Sequence, residues 1–266
     1  MSATEKPPFC SRIKSKGAAA PAISMVIITA ITVVLVLVAG TYANQVLERQ
    51  KAASEFDVVQ NSILAFDDAV RDIAWDRGAS RSVRFTTDYG IVRLFSSNKT
   101  FEITTSEFSK TITTGTVKYL MLSNYLSLGN GYSSYILGDD SPVVSSISDS
   151  VGQALVKQEG GFVSIGLNYR ILVNREGPSI MVGSTSIDYV TIMVIMLNCT
   201  NSSIDGDFEL VAKNMGLSTT SYGPYPVATA HTVSVVSEGV QESIQLDLEA
   251  EQVMFNLIIA EVQVRT

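Results

Sequence analysis

Cysteine, histidine and tryptophan are scarce in this chain, whose 266 residues include two cysteines, one histidine and one tryptophan. Cys10 lies in the basic N-terminal leader, and Cys199 has no partner within the chain if this leader is removed or stays in the cytoplasm. We therefore predict no disulfide framework and a small, buried Cys199. His231 is expected to be a surface strand or turn residue. The sequence has no phosphate-binding loop, HExxH, GxSxG or paired CxxC motif. We therefore expect no enzyme, no catalytic residue, no metal site and no cofactor.

Basic residues are fewer than acidic ones, 19 against 26, and the formal net charge is −7. A nucleic-acid surface needs clustered lysine and arginine, so no nucleic-acid partner is expected. Aspartates on successive helical turns are expected to form a solvated face, with one favourable ion pair to Arg71: Asp67, Asp68, Asp72 and Asp76. The acidic residues at 139–140 and 205–207 are expected to be turns, because neither group has enough oxygen ligands for a calcium loop.

Charge is also missing from residues 18–47, where no side chain carries a formal charge. A helix that crosses the hydrocarbon core of a bilayer needs about 20 predominantly apolar residues, so this stretch can span a membrane. Residues 1–17 hold four basic side chains against Glu5, and the positive-inside rule places this leader in the cytoplasm. We predict a single-pass protein of the cell membrane, in contact with membrane lipid, whose C-terminal domain lies outside.

Proline is absent between Pro21 and Pro142, which predicts one continuous helix over about 22–75. Beyond the span, apolar residues recur in steps of three and four and form a heptad seam: Phe56, Val59, Ile63, Phe66, Val70 and Ile73. The seam can pack on the chain's own β domain or on the seams of neighbouring subunits. Because it is shorter than three heptads, packing on the β domain is favoured. Residues 18–77 are thus predicted to be a transmembrane helix that continues as an amphipathic helix.

From residue 78 onward the apolar pattern alternates, which indicates β-strands. Residues 83–95 are expected to form two short strands around a turn at 88–90. Alternation over 163–173 predicts one strand with one buried face, and the apolar run YVTIMVIML at 189–197 predicts a central strand. The expected fold class is α+β, in which the long N-terminal helix is followed by an antiparallel, β-sandwich-like extracellular domain over 78–266.

The segment KGAAAPAISMVIITAITVVLVLVAG resembles the N-terminus of archaeal type IV pilins, in which a basic residue and a glycine precede small residues, a proline and an Ile/Val-rich helix. Bacterial pilins have a glutamate five residues after the peptidase cut, whereas this chain has Ala22, which fits the archaeal side of the superfamily. The resemblance implies a class III signal peptide that prepilin peptidase cuts at Lys16, Gly17 and Ala18, after either Gly17 or Ala18. It does not extend to the β domain.

The resemblance further implies a structural subunit, major or minor, of an archaeal type IV pilus-like cell-surface filament. Its partners would be prepilin peptidase and copies of itself or other pilins, packed through their apolar N-terminal helices. The large β domain leaves room for a minor or tip subunit with a role in adhesion. The alternative is an uncleaved, single-pass, membrane-anchored cell-surface binding or envelope protein. Cleavage after Ala43 is disfavoured because the apolar run exceeds a signal-peptide core of about 7–15 residues.

Three N-glycosylation sequons occur in the part of the chain that is predicted to lie outside the cell. They begin at Asn98, Asn198 and Asn201. The last two lie in NCTNSS, which follows the predicted central strand and is expected to be an exposed loop. We therefore expect a glycoprotein, with Asn201 as the favoured site.

Overall fold

The computed structural model describes residues 19–146, 149–227 and 232–266. Helix α1 extends over Ala19–Ala74 and is followed by β-strands only within these residues. Two compact units are distinguished along the chain, and they meet in sequence between Glu48 and Arg49. In the first unit, the described residues 19–48 are all helical. In the second unit, Arg49–Thr266, the remainder of α1 packs on a large β-sheet through a shared hydrophobic cluster.

The chain forms α1 without interruption because it offers no helix breaker after Pro21, which stands in the first turn where its missing N–H costs no helical hydrogen bond. The strands that follow in chain order are β1 Ser80–Thr104, β2 Ser109–Leu122, β3 Ser133–Leu137, β4 Val143–Val144, β5 Gly152–Glu159, β6 Phe162–Tyr169, β7 Ile171–Arg175, β8 Ile180–Val182, β9 Thr185–Cys199, β10 Ser202–Pro226, β11 Thr232–Ser237, β12 Val240–Gln245 and β13 Gln252–Arg265. One helix and a mostly β domain give an α+β architecture.

The described strands form one open mixed sheet with the main order β3-β5-β6-β2-β1-β10-β13-β9-β7-β4. Strands β11 and β12 extend from β1, and β8 pairs with β9. The expected purely antiparallel arrangement is wrong, because β13 runs parallel to β9 and β4 runs parallel to β7. The predicted central strand at 189–197 is confirmed within β9, which has neighbours on both edges. Its apolar residues on both faces are typical of strands in parallel pairs, which are covered on both sides.

Three local predictions for the strands are wrong. The turn expected at 205–207 lies within β10, where Gly206 and Asp207 pair with β1. Residues 88–90 are not a turn between two strands but lie within β1, where the pairing with β10 shifts register between Thr87 and Val92. The alternating residues 163–173 are not one strand, because the chain leaves β6 at Tyr169, passes Arg170 and continues as β7 beside different partners. Apolar residues continue to alternate along the sequence from β6 into β7, so the apolar pattern alone does not reveal the change of partner strands.

The core of the β domain consists of two hydrophobic clusters. One lies around the amphipathic part of α1 and includes Phe85, Tyr119 and Leu167. The other lies among β1, β7, β9, β11 and β13, with Phe101, Ile192 and Phe255 among its buried side chains. The first cluster positions the helix and the second stabilises the far part of the sheet. Burial of each large apolar side chain contributes about 1.5–3 kcal/mol, so hydrophobic packing dominates the stability of this domain.

Candidate functional site

The heptad seam of α1 lies buried in the first hydrophobic cluster. Its members are between 0% and 6% exposed: Phe56, Val59, Ile63, Phe66, Val70 and Ile73. The Phe56 ring lies 6.3 Å from the ring of Tyr119, and the Phe66 ring lies 6.5 Å from that of Phe85. The seam therefore packs on the chain's own sheet within the second unit, and no face of the seam is left for a neighbouring subunit.

The earlier part of α1 has the opposite property, because every described side chain from residue 23 to residue 51 is exposed. Large apolar side chains dominate it, and Met25, Ile28 and Leu37 are 74%, 65% and 64% exposed. Soluble monomeric proteins rarely expose contiguous apolar patches of more than a few hundred Å². The segment is long and apolar enough to cross a membrane, which makes it a candidate membrane anchor.

Three threonines interrupt the apolar segment, but their hydroxyl groups bond back to the helix backbone. Thr29 Oγ1 donates to Met25 O at 2.8 Å, and Thr32 Oγ1 donates to Ile28 O at 2.8 Å. Thr41 Oγ1 donates to Val38 O at 2.9 Å. An unsatisfied polar group costs several kcal/mol in hydrocarbon, so these bonds make the segment compatible with an apolar surrounding.

Glu55 links α1 to the irregular part of β1. Its carboxylate accepts hydrogen bonds from three successive backbone N–H groups, those of Asp88 at 2.7 Å, Tyr89 at 2.9 Å and Gly90 at 3.0 Å. It also accepts a bond of 2.6 Å from the Tyr119 hydroxyl. Burial and the neighbouring Glu55 carboxylate raise the pKa of Tyr119, so its hydroxyl keeps its proton. This carboxylate thus satisfies the backbone donors that the register shift removes from the strand ladder.

Gly90 is required next to this carboxylate for a steric reason. A Cβ atom at this position would overlap the phenol ring of Tyr119, which lies over the glycine. The same ring packs near Phe56 of the heptad seam. Gly90, Tyr119 and Glu55 thus form one contact between sheet and helix.

Asp67 forms a second polar contact between helix and sheet. The predicted ion pair with Arg71 is confirmed, with Nε and Oδ2 2.8 Å apart. The expectation of a solvated Asp67 is wrong, because the residue is 1% exposed and lies against Gly152, where a Cβ atom would overlap its carboxylate. Burial raises the pKa of Asp67 despite the attraction of the Arg71 guanidinium. The neighbouring Asp68 and Asp72 remain exposed and pair with Arg71 and Arg81.

Asn214 of β10 holds the C-terminal end of α1. Its side-chain Nδ2 donates to Ile73 O at 2.9 Å and to Ala74 O at 2.6 Å, and the residue is 1% exposed. The backbone N–H of Gly78, whose φ is +83°, donates to Asn214 O at 3.2 Å. The Ala74 carbonyl therefore finds its donor in a strand far along the sequence, and the Ile73 carbonyl accepts from Asn214 in addition to the local Asp76 N–H, 3.0 Å away. No sequence signal near the helix end identifies Asn214.

The sequon asparagines are all exposed: Asn98 lies in β1, Asn198 near the end of β9, and Asn201 in the connection from β9 to β10. The Asn201 carboxamide oxygen accepts a 2.6 Å bond from the backbone N–H of Ser96, two residues before Asn98. The Asn198 carboxamide nitrogen donates to Glu261 at 2.7 Å. Glycosylation takes the nitrogen, so Asn98 and Asn201 offer the attachment atom without loss of a bond among the described residues, whereas Asn198 gives up its bond to Glu261.

The residues considered for chemistry are structural where they are described. Cys199 is a free, buried cysteine, and burial raises the pKa of its thiol to about 12, which keeps it unreactive. Asp139 pairs with Arg170, and Asp207 pairs with Arg84 at 3.3 Å. No group of three or more metal-ligating side chains occurs in the described part of the chain. His231 and the leader residues Lys16, Gly17 and Ala18 lie outside the described residues.

Comparison with known proteins adds no family to this account. No protein-family model, no curated protein and no solved structure matches the chain. The function is therefore inferred from the chain's own residues: a long apolar helix segment whose threonine hydroxyls bond to the helix backbone, and a β domain packed on the second part of the same helix.

Proposed function

We propose that this chain is a structural subunit, major or minor, of a type IV pilus-like cell-surface filament, assembled through the apolar segment of α1. The observation that carries the proposal is the exposure of every described side chain over residues 23–47 in a helix that holds no charge there. Such a surface needs either lipid or other apolar helices around it. A filament subunit uses both coverings in turn, first in the membrane and then against its copies.

The two parts of α1 differ in burial, one exposed and one packed on the sheet, and this difference supports a structural role. The seam residues from Phe56 to Ile73 are buried against the sheet, so the hydrophobic core of the β domain attaches this domain to the helix. Glu55 and Asn214 add hydrogen bonds near the two ends of this contact. A pull on the helix would thus be transmitted to the sheet through a buried contact, as a subunit of a filament requires.

The proposal includes topology and processing. We place residues 1–17 in the cytoplasm, the apolar segment first in the cell membrane, and the β domain outside. By its resemblance to archaeal pilins, the leader is removed by prepilin peptidase at Lys16, Gly17 and Ala18. The exposed sequons at Asn98 and Asn201 then become candidate glycosylation sites on the outer surface. Adhesion is a further role that a tip subunit of this kind could perform.

Electron microscopy of surface filaments sheared from cells that produce the protein tests the proposal. Wild-type cells should yield filaments that contain the chain, as shown by mass spectrometry. A Gly17→Glu variant should remain in the membrane with its leader attached and should give no filaments of this subunit. The control variant Ser15→Ala, on the same leader, should leave the filaments unchanged.

Two outcomes would contradict the proposal. Filaments that contain the uncleaved Gly17→Glu chain would show that assembly does not need removal of the leader. Absence of the wild-type chain from any filament, with the leader retained in the membrane, would favour the anchored cell-surface protein. Glycopeptide analysis of the same material tests the sequons separately, and bare Asn98, Asn198 and Asn201 would refute the glycoprotein proposal alone.

A further inference from the structure

Strand β10 has an open edge from Met215 to Ser221, after Asn214, whose backbone bonds to Gly78 and Ala79. Its pairing with β1 ends at Lys213, whereas its pairing with β13 continues to Pro226. Among the described residues, no strand pairs with the other edge of β10 after Lys213. The side chains from Leu217 to Ser221 are all exposed. An edge strand of this kind presents backbone N–H and C=O groups that can pair with another strand.

Charged side chains, a common protection of an open edge, are missing from this part of β10, and its two prolines, Pro224 and Pro226, lie only at its C-terminal end. Natural edge strands are commonly shielded by lysine, by proline or by bulges. Residues 214–227 contain no charged side chain. Irregular pairing brackets the run, between Asn214 and Gly216 and between Tyr222 and Tyr225, but the residues between these points pair continuously with β13. The exposed apolar side chains Met215 and Leu217 add to the surface, at 48% and 40%.

Strand β8 offers a second open and uncharged edge. It pairs with β9, and no other described strand pairs with it. Its three side chains are all exposed, Ile180 at 52%, Met181 at 64% and Val182 at 54%. No charge occurs over residues 177–187. Three consecutive exposed apolar residues on a strand place apolar surface on both of its faces.

The two open edges lie on opposite sides of the same four strands. Pro226 of β10 pairs with Gln252 of β13, Gln252 pairs with Ile187 of β9, and Ile187 pairs with Ile180 of β8. This row gives the local order β10-β13-β9-β8. Since β13 and β9 are parallel to each other and both outer strands are antiparallel to them, β10 and β8 run in the same direction.

We propose that β8 of one copy adds to the open edge of β10 in the next copy, as a parallel strand, so that the sheets of successive subunits join head to tail. A second copy is the occupant because each copy carries both edges, both are uncharged, and both run in the same direction. A translation of the chain across and along the sheet therefore brings β8 beside the run from Leu217 to Ser221. A contact between two different surfaces of identical chains does not close on itself and extends into an open array. Backbone pairing supplies affinity, and the apolar β8 side chains supply additional buried surface.

This contact goes beyond the proposed function, because a filament can assemble through its apolar helices alone. A three-residue strand buries little surface, so the contact is weak between free chains. Copies held together by their helices meet at a high effective concentration, at which a weak second contact becomes occupied. The inference therefore assigns a surface of the β domain to contact between subunits.

Cysteine cross-linking of the full chain in membrane vesicles tests this contact. In a Cys10→Ser background, the paired variant Met181→Cys and Thr219→Cys should give disulfide-linked dimers, trimers and larger species under mild oxidation. Each single variant should give dimers at most, because it has one exposed thiol. Cys199 does not interfere, since it is buried. The control pair Val240→Cys and Thr219→Cys, which uses an exposed residue of β12, should give no trimers.

The result depends on which cysteine pair gives a ladder of disulfide-linked species. A ladder from the Met181 and Thr219 pair with none from the control pair supports the contact. Equal ladders from both pairs, or no ladder from a folded Met181 and Thr219 pair, overturn it. If that pair does not fold, Val182→Cys with Thr220→Cys replaces it on the same edges. Because filaments and leader cleavage are measured separately, failure here leaves the proposed function untouched.

Discussion

Replacement of Glu55 by glutamine is the sharpest perturbation of the contact between helix and sheet. The wild-type carboxylate accepts bonds of 2.6–3.0 Å from Tyr119 and from the backbone of Asp88, Tyr89 and Gly90. Glutamine has nearly the same shape but only one acceptor oxygen, and its NH2 group would face N–H donors. The substitution therefore removes acceptors and leaves the hydrophobic seam in place.

The expected loss of stability can be worked from these bonds. A hydrogen bond to a charged group contributes about 1.5–3 kcal/mol, and a buried donor left unsatisfied costs about 1–3 kcal/mol. Water reaches the exposed Asp88 donor and replaces part of the loss there. A glutamine side chain that is no longer held by these donors regains up to about 2 kcal/mol of conformational entropy, which offsets part of the loss. We therefore expect Glu55→Gln to lower the free energy of unfolding by about 2 kcal/mol.

Urea unfolding of the full chain in detergent micelles measures this change. Trp75, the single tryptophan, follows the last residue of α1 and is 40% exposed, so its fluorescence should report detachment of the helix end. The control Asp57→Asn removes an exposed carboxylate from the same helix and should change the stability by less than about 0.5 kcal/mol. If Glu55→Gln is as stable as this control, the carboxylate does not hold the sheet and the reasoning fails.

Three further predictions use the same assay. The pKa of Asp67 is raised in the folded state, so its contribution to stability is greatest below the ordinary aspartate pKa of about 4 and is lost as the pH rises through the folded-state pKa. The free energy of unfolding of wild type relative to Asp67→Asn should therefore fall from pH 4 to pH 7. A difference that does not change with pH would refute the burial argument. Asn214→Ala removes the donor from the Ala74 carbonyl and one of two donors from the Ile73 carbonyl, and it should cost about 1–3 kcal/mol, whereas no loss would mean that water caps the helix. Gly90→Ala places a methyl group in the Tyr119 ring and should cost about 1–3 kcal/mol, and unchanged stability would show that the ring moves away freely.

The long helix follows directly from local sequence features. Residues 22–75 combine an apolar run, a heptad pattern and an absence of proline, and each of these acts within a few residues along the chain. The helix predicted over about 22–75 is observed over Ala19–Ala74. The burial of Phe56 and Ile73 also follows from the pattern, because steps of three and four place them on one face.

The features missed by sequence reasoning depend on contacts between distant residues. Residues 88–90 look like a turn because Asp and Gly favour turns, but Glu55, more than 30 residues earlier, binds their N–H groups within a strand. The break between β6 and β7 at Arg170 is not visible in the sequence, because Arg170 takes the place of an ordinary polar residue in the alternating pattern. Its guanidinium is in fact buried and donates to Ser150 O and to Asp139. The parallel pairing of β13 with β9 likewise joins segments separated by β10, β11 and β12, which no local period encodes.

The N-terminal sequence of the protein isolated from its own cells tests the central claim most directly. A filament subunit of the proposed kind begins at Ala18 or Ala19, because prepilin peptidase removes the leader and leaves the apolar segment of α1 intact. A start at Asn44 would instead indicate a secreted protein without that segment. Retention of Met1–Gly17 on the mature protein would contradict the filament account and would leave a permanently anchored surface protein.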